Sequence, residues 1–139
     1  RVAACCEAAG QATGCRVKVA PAGKDYHPLK PAYRLAALFE GNLAALGERV
    51  DQGPVDREIG SSDVGNVSQV VPTIQPMLQI SPREVTNHMV EFAQAAASER
   101  GHQALAAAAK AMAMTALDLA LDSAARAAVA AEFRGEPAG

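Results

Sequence analysis

The N-terminal part of the chain combines one helical pattern with one alternating pattern. Residues Val2 to Ala12 are rich in alanine and precede Gly14, which predicts a helix that stops near that glycine. Residues 15–19 (Cys-Arg-Val-Lys-Val) alternate apolar and charged side chains, which predicts a half-buried strand with one face in water. The stretch from Pro21 to Pro31 is rich in turn-forming residues and is interpreted as a junction.

A second helix is predicted to begin near Pro31, because proline suits the first helical turn. Its apolar side chains fall on one stripe at helical spacing: Leu35, Leu38, Phe39, Leu43 and Leu46. Gly47 is typical of a helix C-terminus. From Glu48 to Ser68 glycines recur without any periodicity, which predicts a long loop. Such loops in compact domains are commonly functional or disordered.

Alternation returns after Pro72, which predicts a second strand with one apolar face formed by Ile74, Leu78 and Ile80. Pro76 places this strand near a strand start or a sheet edge, because proline cannot donate a hydrogen bond to a neighbouring strand. Residues 81–84 (Ser-Pro-Arg-Glu) have the form of a helix-capping box. They predict a short turn just before His88.

From Phe92 onward the pattern is almost entirely helical. Gly101 is predicted to divide this region, and Ser123 is predicted to cap the last helix. Between Lys110 and Asp118 there is no charged residue, and apolar residues occur on every side of the helix. That distribution predicts a helix that is buried on several sides.

The composition is that of a globular chain and excludes some classes of binding partner. The 139 residues allow one domain and are 50% hydrophobic and 20% charged. A net charge of −2 argues against nucleic acid and against anionic membranes as partners. No stretch is expected to span a bilayer, and no signal-peptide pattern is found.

Aromatic residues make up only 4% and alanine is abundant, so the core is expected to be thin. Either the helices pack very closely, or some apolar faces contact protein outside this chain.

The three cysteines, Cys5, Cys6 and Cys15, do not form a recognisable framework. Adjacent cysteines rarely reach disulfide geometry, and the spacing is not that of a metal site. This pattern predicts reduced thiols in a cytosolic protein. We expect the side chains to be small buried hydrophobic groups rather than reactive or metal-binding ones.

Among the histidines, His88 has the most informative surroundings. It follows the second predicted strand through a polar loop, and Glu91 lies where both side chains could face one site on a helix. On spacing alone, the simpler interpretation is preferred, in which Glu91 is a first-turn residue favoured by the helix dipole. His27 is interpreted as a solvated junction residue, and His102 as a residue at a helix boundary.

The densest polar cluster is the segment 60–68 (Gly-Ser-Ser-Asp-Val-Gly-Asn-Val-Ser). It is not a P-loop, because no Lys-Ser/Thr pair follows its second glycine. Its hydroxyls, Asp63 and Asn66 could bind a ligand or orient a metal ligand, and its glycines let a ligand approach the backbone. Ordinary turn chemistry explains the same residues equally well. We find no Ser/His/Asp or Cys/His arrangement that supports nucleophilic catalysis.

Three segments occur in an informative order: the 60–68 loop, Asn87-His88 with Glu91-Phe92, and residues 109–119 (Ala-Lys-Ala-Met-Ala-Met-Thr-Ala-Leu-Asp-Leu). Together they resemble the C-terminal third of the zinc amidohydrolases of the aminoacylase and carboxypeptidase G superfamily. The closest branch includes the aminobenzoyl-glutamate hydrolases. The family's Gly-Ser-Thr-Asp-x-Gly-Asn/Asp-Val-Ser loop is matched with Ser62 in place of threonine, and the family's alanine-rich helix is matched closely.

The resemblance implies a zinc site, or a site for another divalent metal, to which this chain contributes one ligand. His88 matches the family's last zinc ligand. A loop beside the family's active site is matched by Gly60, Ser61, Ser62, Asp63 and Asn66, which are therefore predicted to bind substrate. The other ligands and the general base belong to a His-x-Asp segment and a Glu-Glu pair, neither of which occurs in this sequence. Met89 departs from the threonine or serine that is common in the family.

The resemblance also implies an α/β fold class. Residues 1–22 would end an inserted α+β lid domain that mediates dimerisation. Residues 23–139 would form the C-terminal part of a three-layer α/β catalytic domain of the zinc-exopeptidase type. The implied partners are a small amide substrate, the N-terminal remainder of the enzyme and a second copy in a cytoplasmic homodimer, with no nucleic acid and no membrane.

We therefore predict a segment of a metal-dependent amidohydrolase. The full enzyme would hydrolyse an amide bond in an N-acyl amino acid, an aminoacyl-glutamate or a dipeptide-like substrate, with a glutamate carrying the proton. The isolated chain is expected to be inactive. One alternative is a non-enzymatic module of alanine-rich helices that docks on a partner. A weaker one is an independent metal-binding protein, for which His88 and Glu91 lack further ligands.

Overall fold

A computed structural model describes residues 1–20, 22–50 and 62–135 of the chain. Within these ranges the secondary structure is helical, in the order α1 (Val2–Thr13), α2 (Tyr33–Ala45), α3 (Val64–Ser68), α4 (Val90–Ala96), α5 (Glu99–Leu121) and α6 (Ser123–Arg134). The helices predicted from alanine content (α1), from the apolar stripe (α2) and from the long helical pattern after Phe92 (α5) are all present. The short α3 lies inside the segment that the sequence predicted to be loop.

Helix α1 and the residues after it form a small unit of their own. Gly14 ends the helix in the left-handed conformation, with φ at 70°. The N–H of Cys15 then donates a hydrogen bond to the carbonyl of Gly10 at 3.0 Å. Gly10 is buried against Val17, so that a Cβ at position 10 would overlap the valine side chain. Among the described residues, α1 packs against none of the other helices.

The hydrophobic core lies between α2 and α5. Its buried members are Phe39 and Leu43 from α2 and Ala111 from α5. Partly buried side chains pack against this core: Leu46, Val50, Ile74 and Leu78. Alanine at position 111 is fully buried, which lets the two helices approach closely where a larger side chain would hold them apart. This core is as thin as the composition predicted.

Neither predicted strand is paired within the described residues. Residues 15–19 and 74–80 have no regular secondary structure, and the β-pairing described is a single parallel bridge between Pro31 and Thr73. That bridge includes the N–H of Ala32, which donates to the carbonyl of Thr73 at 3.0 Å. The predicted α/β class is therefore not confirmed by the described residues, since a strand exists only where a second strand supplies hydrogen-bond partners.

Two helix boundaries differ from their sequence predictions. The break between α4 and α5 lies at Ala97–Ser98 rather than at Gly101, because the Ser98 hydroxyl caps α5 by accepting the N–H of Gly101 at 3.1 Å. The last helix is capped by Asp122 rather than Ser123, since the carboxylate of Asp122 accepts two N–H groups in the first turn. An ionised carboxylate at this position also complements the helix dipole.

Helix α5 is far more exposed than predicted. Its buried residues are Gly101, Ala104, Ala111 and Thr115, all on one face. Leu105 is 69% exposed and Leu121 is 83% exposed. The helix is also long and apolar enough, by length and composition alone, to cross a membrane, which corrects our expectation that no stretch is. This is weak support for a membrane span, because the core helix of a soluble protein meets the same criteria.

The predicted burial of the cysteines is also wrong, whereas the absence of a disulfide among them agrees with the predicted reduced thiols. Cys5, Cys6 and Cys15 are all free and exposed. They lie on α1 and just after it, and no other described helix covers this unit. Their exposure follows from the absence of a packing partner for α1.

Candidate functional site

The polar loop predicted to bind substrate is held against the backbone that leads into α2. Gly60 and Ser61 lie outside the described residues, so the description begins at Ser62. The hydroxyl of Ser62 accepts the N–H of Val64 at 3.2 Å. Asp63 then occupies the position before α3, and its side chain makes no capping hydrogen bond to the helix.

Asn66 binds this backbone with both ends of its side-chain amide. Its Oδ1 accepts the N–H of His27 at 2.9 Å, and its Nδ2 donates to the carbonyl of Asp25 at 2.9 Å. A primary amide is the side chain that can accept and donate in this way within one plane. The geometry gives Asn66 a positioning task, and its predicted contact with substrate remains a prediction.

Two residues that the sequence analysis did not propose as site residues complete the contact. The hydroxyl of Ser68 is fully buried, accepts the N–H of Lys30 at 2.8 Å and donates to the carbonyl of Gly65 at 2.6 Å. The amide of Gln69 donates to the carbonyl of Pro28 at 2.7 Å. Lys30 and Pro28 lie 38 and 41 residues away from Ser68 and Gln69 in the sequence, so no local pattern could have indicated these two contacts.

Gly65 explains why the loop carries a glycine at this point. A Cβ there would overlap the carbonyl oxygen of His27. The glycine therefore serves the close approach of two backbone segments, which is one of the functions expected of glycine in such loops. His27 lies at this junction with its ring exposed, as predicted.

Asp63 and Asn66 share a cleft with the junction segment. The cleft has a volume of about 590 Å³, and its remaining lining comes from Ala22, Gly23, Lys24, Asp25 and Tyr26. Tyr26 is 64% exposed, so this cleft is open to solvent. His88 is not part of its lining. The structure thus brings Asp63 and Asn66 together in one cleft that His88 does not line.

His88 has an unusual backbone conformation. Its φ is 71°, and among the described residues it is the one non-glycine residue with a positive φ. Positive φ is uncommon outside glycine, and when it persists it often marks a functional position. The His88 side chain is exposed, and Met89 caps the following helix α4. Glu91 lies in the first turn of α4, as the simpler interpretation of the His-x-x-Glu spacing predicted.

Met89 helps to close the turn that carries His88. Its sulfur accepts the N–H of Thr86 at 3.4 Å and the hydroxyl of Thr86 at 3.5 Å. Sulfur is a weak acceptor, so these contacts orient the turn more than they stabilise it. The residue that departs from the family pattern therefore has a visible local role.

The described residues do not form a complete metal site. No group of three or more His, Cys, Asp or Glu side chains in ranges 1–20, 22–50 and 62–135 could hold a metal ion. A catalytic zinc needs about three protein ligands and an open position. The exposed imidazole of His88 could serve as a single ligand, and a complete site would require further ligands from outside the described residues.

Arg100 of α5 forms an ion pair with Glu48 and a hydrogen bond with the segment before His88. Arg100 donates to both carboxylate oxygens of Glu48 at 2.8 Å and, through Nε, to the carbonyl of Gln79 at 3.1 Å. The hydrogen bonds from Arg100 lower the pKa of Glu48 below its ordinary value, and those to Glu48 raise the pKa of Arg100. Planar two-point contacts of this kind are the stronger form of ion pair.

Comparison with known proteins gives two relatives of the same name. Over 132 residues, which are 94% of this chain, the sequence is 36% identical to the Xaa-Arg dipeptidase of Mus musculus. Over 117 residues, 83% of this chain, it is 36% identical to the Xaa-Arg dipeptidase of Homo sapiens. The chain spans 30% and 27% of the lengths of these two relatives. No family model matches the chain.

These similarities support a relationship to part of a peptidase. They do not distinguish the aminobenzoyl-glutamate branch that the sequence motifs suggested, so that branch stays a prediction. Zinc, dimerisation, the domain division at residue 22 and a cytoplasmic location also remain predictions.

Proposed function

We propose that this chain is a segment of a metal-dependent dipeptidase and that it supplies one metal ligand, His88. The observation that carries the proposal is the exposed imidazole at position 88, held on a left-handed backbone within a sequence 36% identical to dipeptidases over most of its length. An exposed, strained histidine has no packing role that would explain it.

The surface of the chain supports the view that other polypeptide covers it. Many large apolar side chains of the described residues are exposed, among them Leu105 at 69%, Leu121 at 83% and Met77 at 85%. An exposed apolar surface of this kind is typical of a region that packs against other protein.

Hydrolysis would then require residues from both parts of the enzyme. When bound, the metal supplies the activation of water for attack on the amide carbonyl. This chain contributes the His88 imidazole and, through Asp63 and the loop that Asn66 fixes, part of the wall around the substrate. The remaining ligands and the general base come from the part of the enzyme that this chain does not contain, which is why we expect the chain alone to be inactive.

The substrate class follows from the relatives. Both are named for dipeptides that end in arginine. We propose that the full enzyme cleaves the single amide bond of a dipeptide-like substrate, with Xaa-Arg dipeptides as the first to be assayed.

The direct test is a chimera in which this chain replaces the matching segment of the mouse relative. We expect the chimera to hydrolyse an Xaa-Arg dipeptide, and His88→Ala to lower kcat/KM by at least about 100-fold, because loss of a residue that only supports a metal ligand already costs about 10–100-fold. His102→Ala is the matched control, because His102 is also exposed and should leave activity within twofold. Equal activity of the two variants, or hydrolysis by the isolated chain, would refute the proposal.

A further inference from the structure

The segment that carries His88 is fixed at both of its ends by two consecutive residues of α5. On one side, Nε of Arg100 donates to the carbonyl of Gln79 at 3.1 Å. On the other side, Gly101 lies so close to the end of α4 that a Cβ at position 101 would overlap the carbonyl oxygen of Ala96. His88 lies between these two points of attachment.

The Arg100 attachment has little freedom. Both terminal nitrogens of its guanidinium donate hydrogen bonds to Glu48 at 2.8 Å. These two bonds fix the plane of the group, and with it the direction of the Nε–H that donates to Gln79. The guanidinium is a rigid fork, whereas a lysine ammonium is a single point of charge. Lysine at position 100 could keep the charge opposite Glu48 but could not hold all three acceptors.

The Gly101 attachment is rigid for a different reason. Position 101 is in the first turn of α5, and Ser98 fixes that turn by accepting the N–H of Gly101 at 3.1 Å. The backbone of α4 rests directly on the space where a side chain would be. Any substitution at position 101 therefore has to move α4, whose first residue follows Met89.

Local hydrogen bonds transmit this restraint to His88. The hydroxyl of Ser81 donates to the carbonyl of Val85 at 3.2 Å, and the N–H of Val85 donates to the carbonyl of Pro82 at 3.1 Å. The contacts of Thr86 with the sulfur of Met89 then close the next turn, which contains His88. The chain between the two attachments is thus a series of closed turns.

We propose that Arg100 and Gly101 are positioning residues that hold His88 in its left-handed conformation. Neither residue is assigned a contact with metal or substrate. By fixing both ends of the segment they select the positive φ, which a free histidine would seldom adopt. The inference rests on the proposed role of His88, and it adds that Arg100 and Gly101 hold the His88 ring in one orientation.

The test is NMR of the 139-residue chain without metal. Positive φ brings the amide proton and α-proton of one residue close together, so residue 88 should show a strong intraresidue NOE. We expect Arg100→Met and Gly101→Ala each to weaken this NOE at least twofold and to shift the His88 amide resonance. Arg100→Lys should weaken it as well, although it keeps the charge.

Two control variants separate positioning from a general loss of structure. Arg126→Met removes the hydrogen bond from Arg126 to the carbonyl of Leu119, at the other end of α5. Gly41→Ala adds a methyl group in α2 where no atom lies within 4 Å. Both should leave the His88 signals unchanged. If Arg100→Met does not fold, Arg100→Lys and Gly101→Ala decide the matter.

The inference is overturned if folded Arg100→Lys and Gly101→Ala keep the wild-type NOE and amide shift at residue 88, or if the controls weaken them equally. This readout needs neither metal nor hydrolysis. If the chimera is inactive and these variants weaken the NOE as expected, the proposed function alone is rejected. If the chimera is active and the variants leave the NOE unchanged, this inference alone is rejected.

Discussion

Asn66 uses both atoms of its side-chain amide to hold the backbone around His27. The oxygen accepts the N–H of His27 and the nitrogen donates to the carbonyl of Asp25, each at 2.9 Å. The polar loop and the segment that enters α2 are therefore one structural unit. A change at Asn66 should alter this unit before it alters any contact with a ligand.

The first prediction concerns the amide of Asn66. Asn66→Asp keeps the acceptor for His27 but places a carboxylate oxygen against the carbonyl of Asp25. We expect a loss of about 1–2 kcal/mol in the free energy of unfolding, because a donor is lost and two acceptors face each other. Urea denaturation measures it, with Asn87→Asp as an exposed control that should change stability by less than about 0.5 kcal/mol.

The second prediction concerns the close approach at Gly65. Gly65→Ala places a Cβ on the carbonyl oxygen of His27, so one of the two backbones has to move. We expect a loss of about 2–3 kcal/mol, which is typical of overpacking against an atom that cannot rotate away. Gly41→Ala should instead stabilise the chain by about 0.5–1 kcal/mol, because it lies in open space within a helix. Equal effects on the denaturation midpoint would contradict this explanation.

The third prediction concerns the polar contact between α2 and α5. Asn42 donates to the hydroxyl of Thr115 at 3.0 Å and to the carboxylate of Asp118 at 2.7 Å, and Thr115 donates to the carbonyl of Ala111 at 2.8 Å. Thr115→Val should cost about 1 kcal/mol, and Asn42→Ala about 2 kcal/mol because it leaves Asp118 without this donor. A double-mutant cycle should give a coupling of at least about 0.5 kcal/mol, and strict additivity would show that the contact is not formed.

The fourth prediction concerns acid stability. The pKa of Glu48 is lowered in the folded state by hydrogen bonds from Arg100, so the pair stabilises the fold fully above the unfolded pKa of about 4.3. This contribution is lost as the pH falls from there through the lower folded pKa. Because Arg100 is 42% exposed and screened by solvent, it should not exceed about 1 kcal/mol.

Glu48→Gln provides the comparison for that prediction. The difference in unfolding free energy between wild type and Glu48→Gln should be constant from pH 7 to pH 5 and should shrink below about pH 4.3. A difference that persists unchanged at lower pH would show that the ion pair does not cause it.

The sequence predicted what depends on neighbours along the chain. The stripe that includes Phe39 and Leu43 gave the core face of α2, and Gly14 and Gly47 both adopt the left-handed conformation expected at helix ends. The helix breaks were misplaced, because Ser98 and Asp122 were not recognised as better caps than Gly101 and Ser123. Each error is local: several neighbouring residues could begin the helix, and the wrong one was chosen.

What the sequence could not predict depends on distant partners. Residues 15–19 have a strand pattern, yet no strand lies beside them within the described part of the chain. The exposure of Cys5 and Cys6 follows in the same way from the missing cover over α1. In the site, the hydrogen bond between Lys30 and Ser68 joins segments with unrelated local patterns. The periodicity of a segment indicates which of its faces is apolar, but it does not indicate which other segment packs against that face.

The central claim is that His88 is a metal ligand of a dipeptidase to which this chain contributes. The measurement that tests it most directly is the metal content of the purified chimera with the mouse relative, determined together for wild type, His88→Ala and His102→Ala. We expect wild type and His102→Ala to retain equal amounts of metal, and His88→Ala to lose at least half a metal ion per chain. Undiminished metal in His88→Ala would contradict the claim.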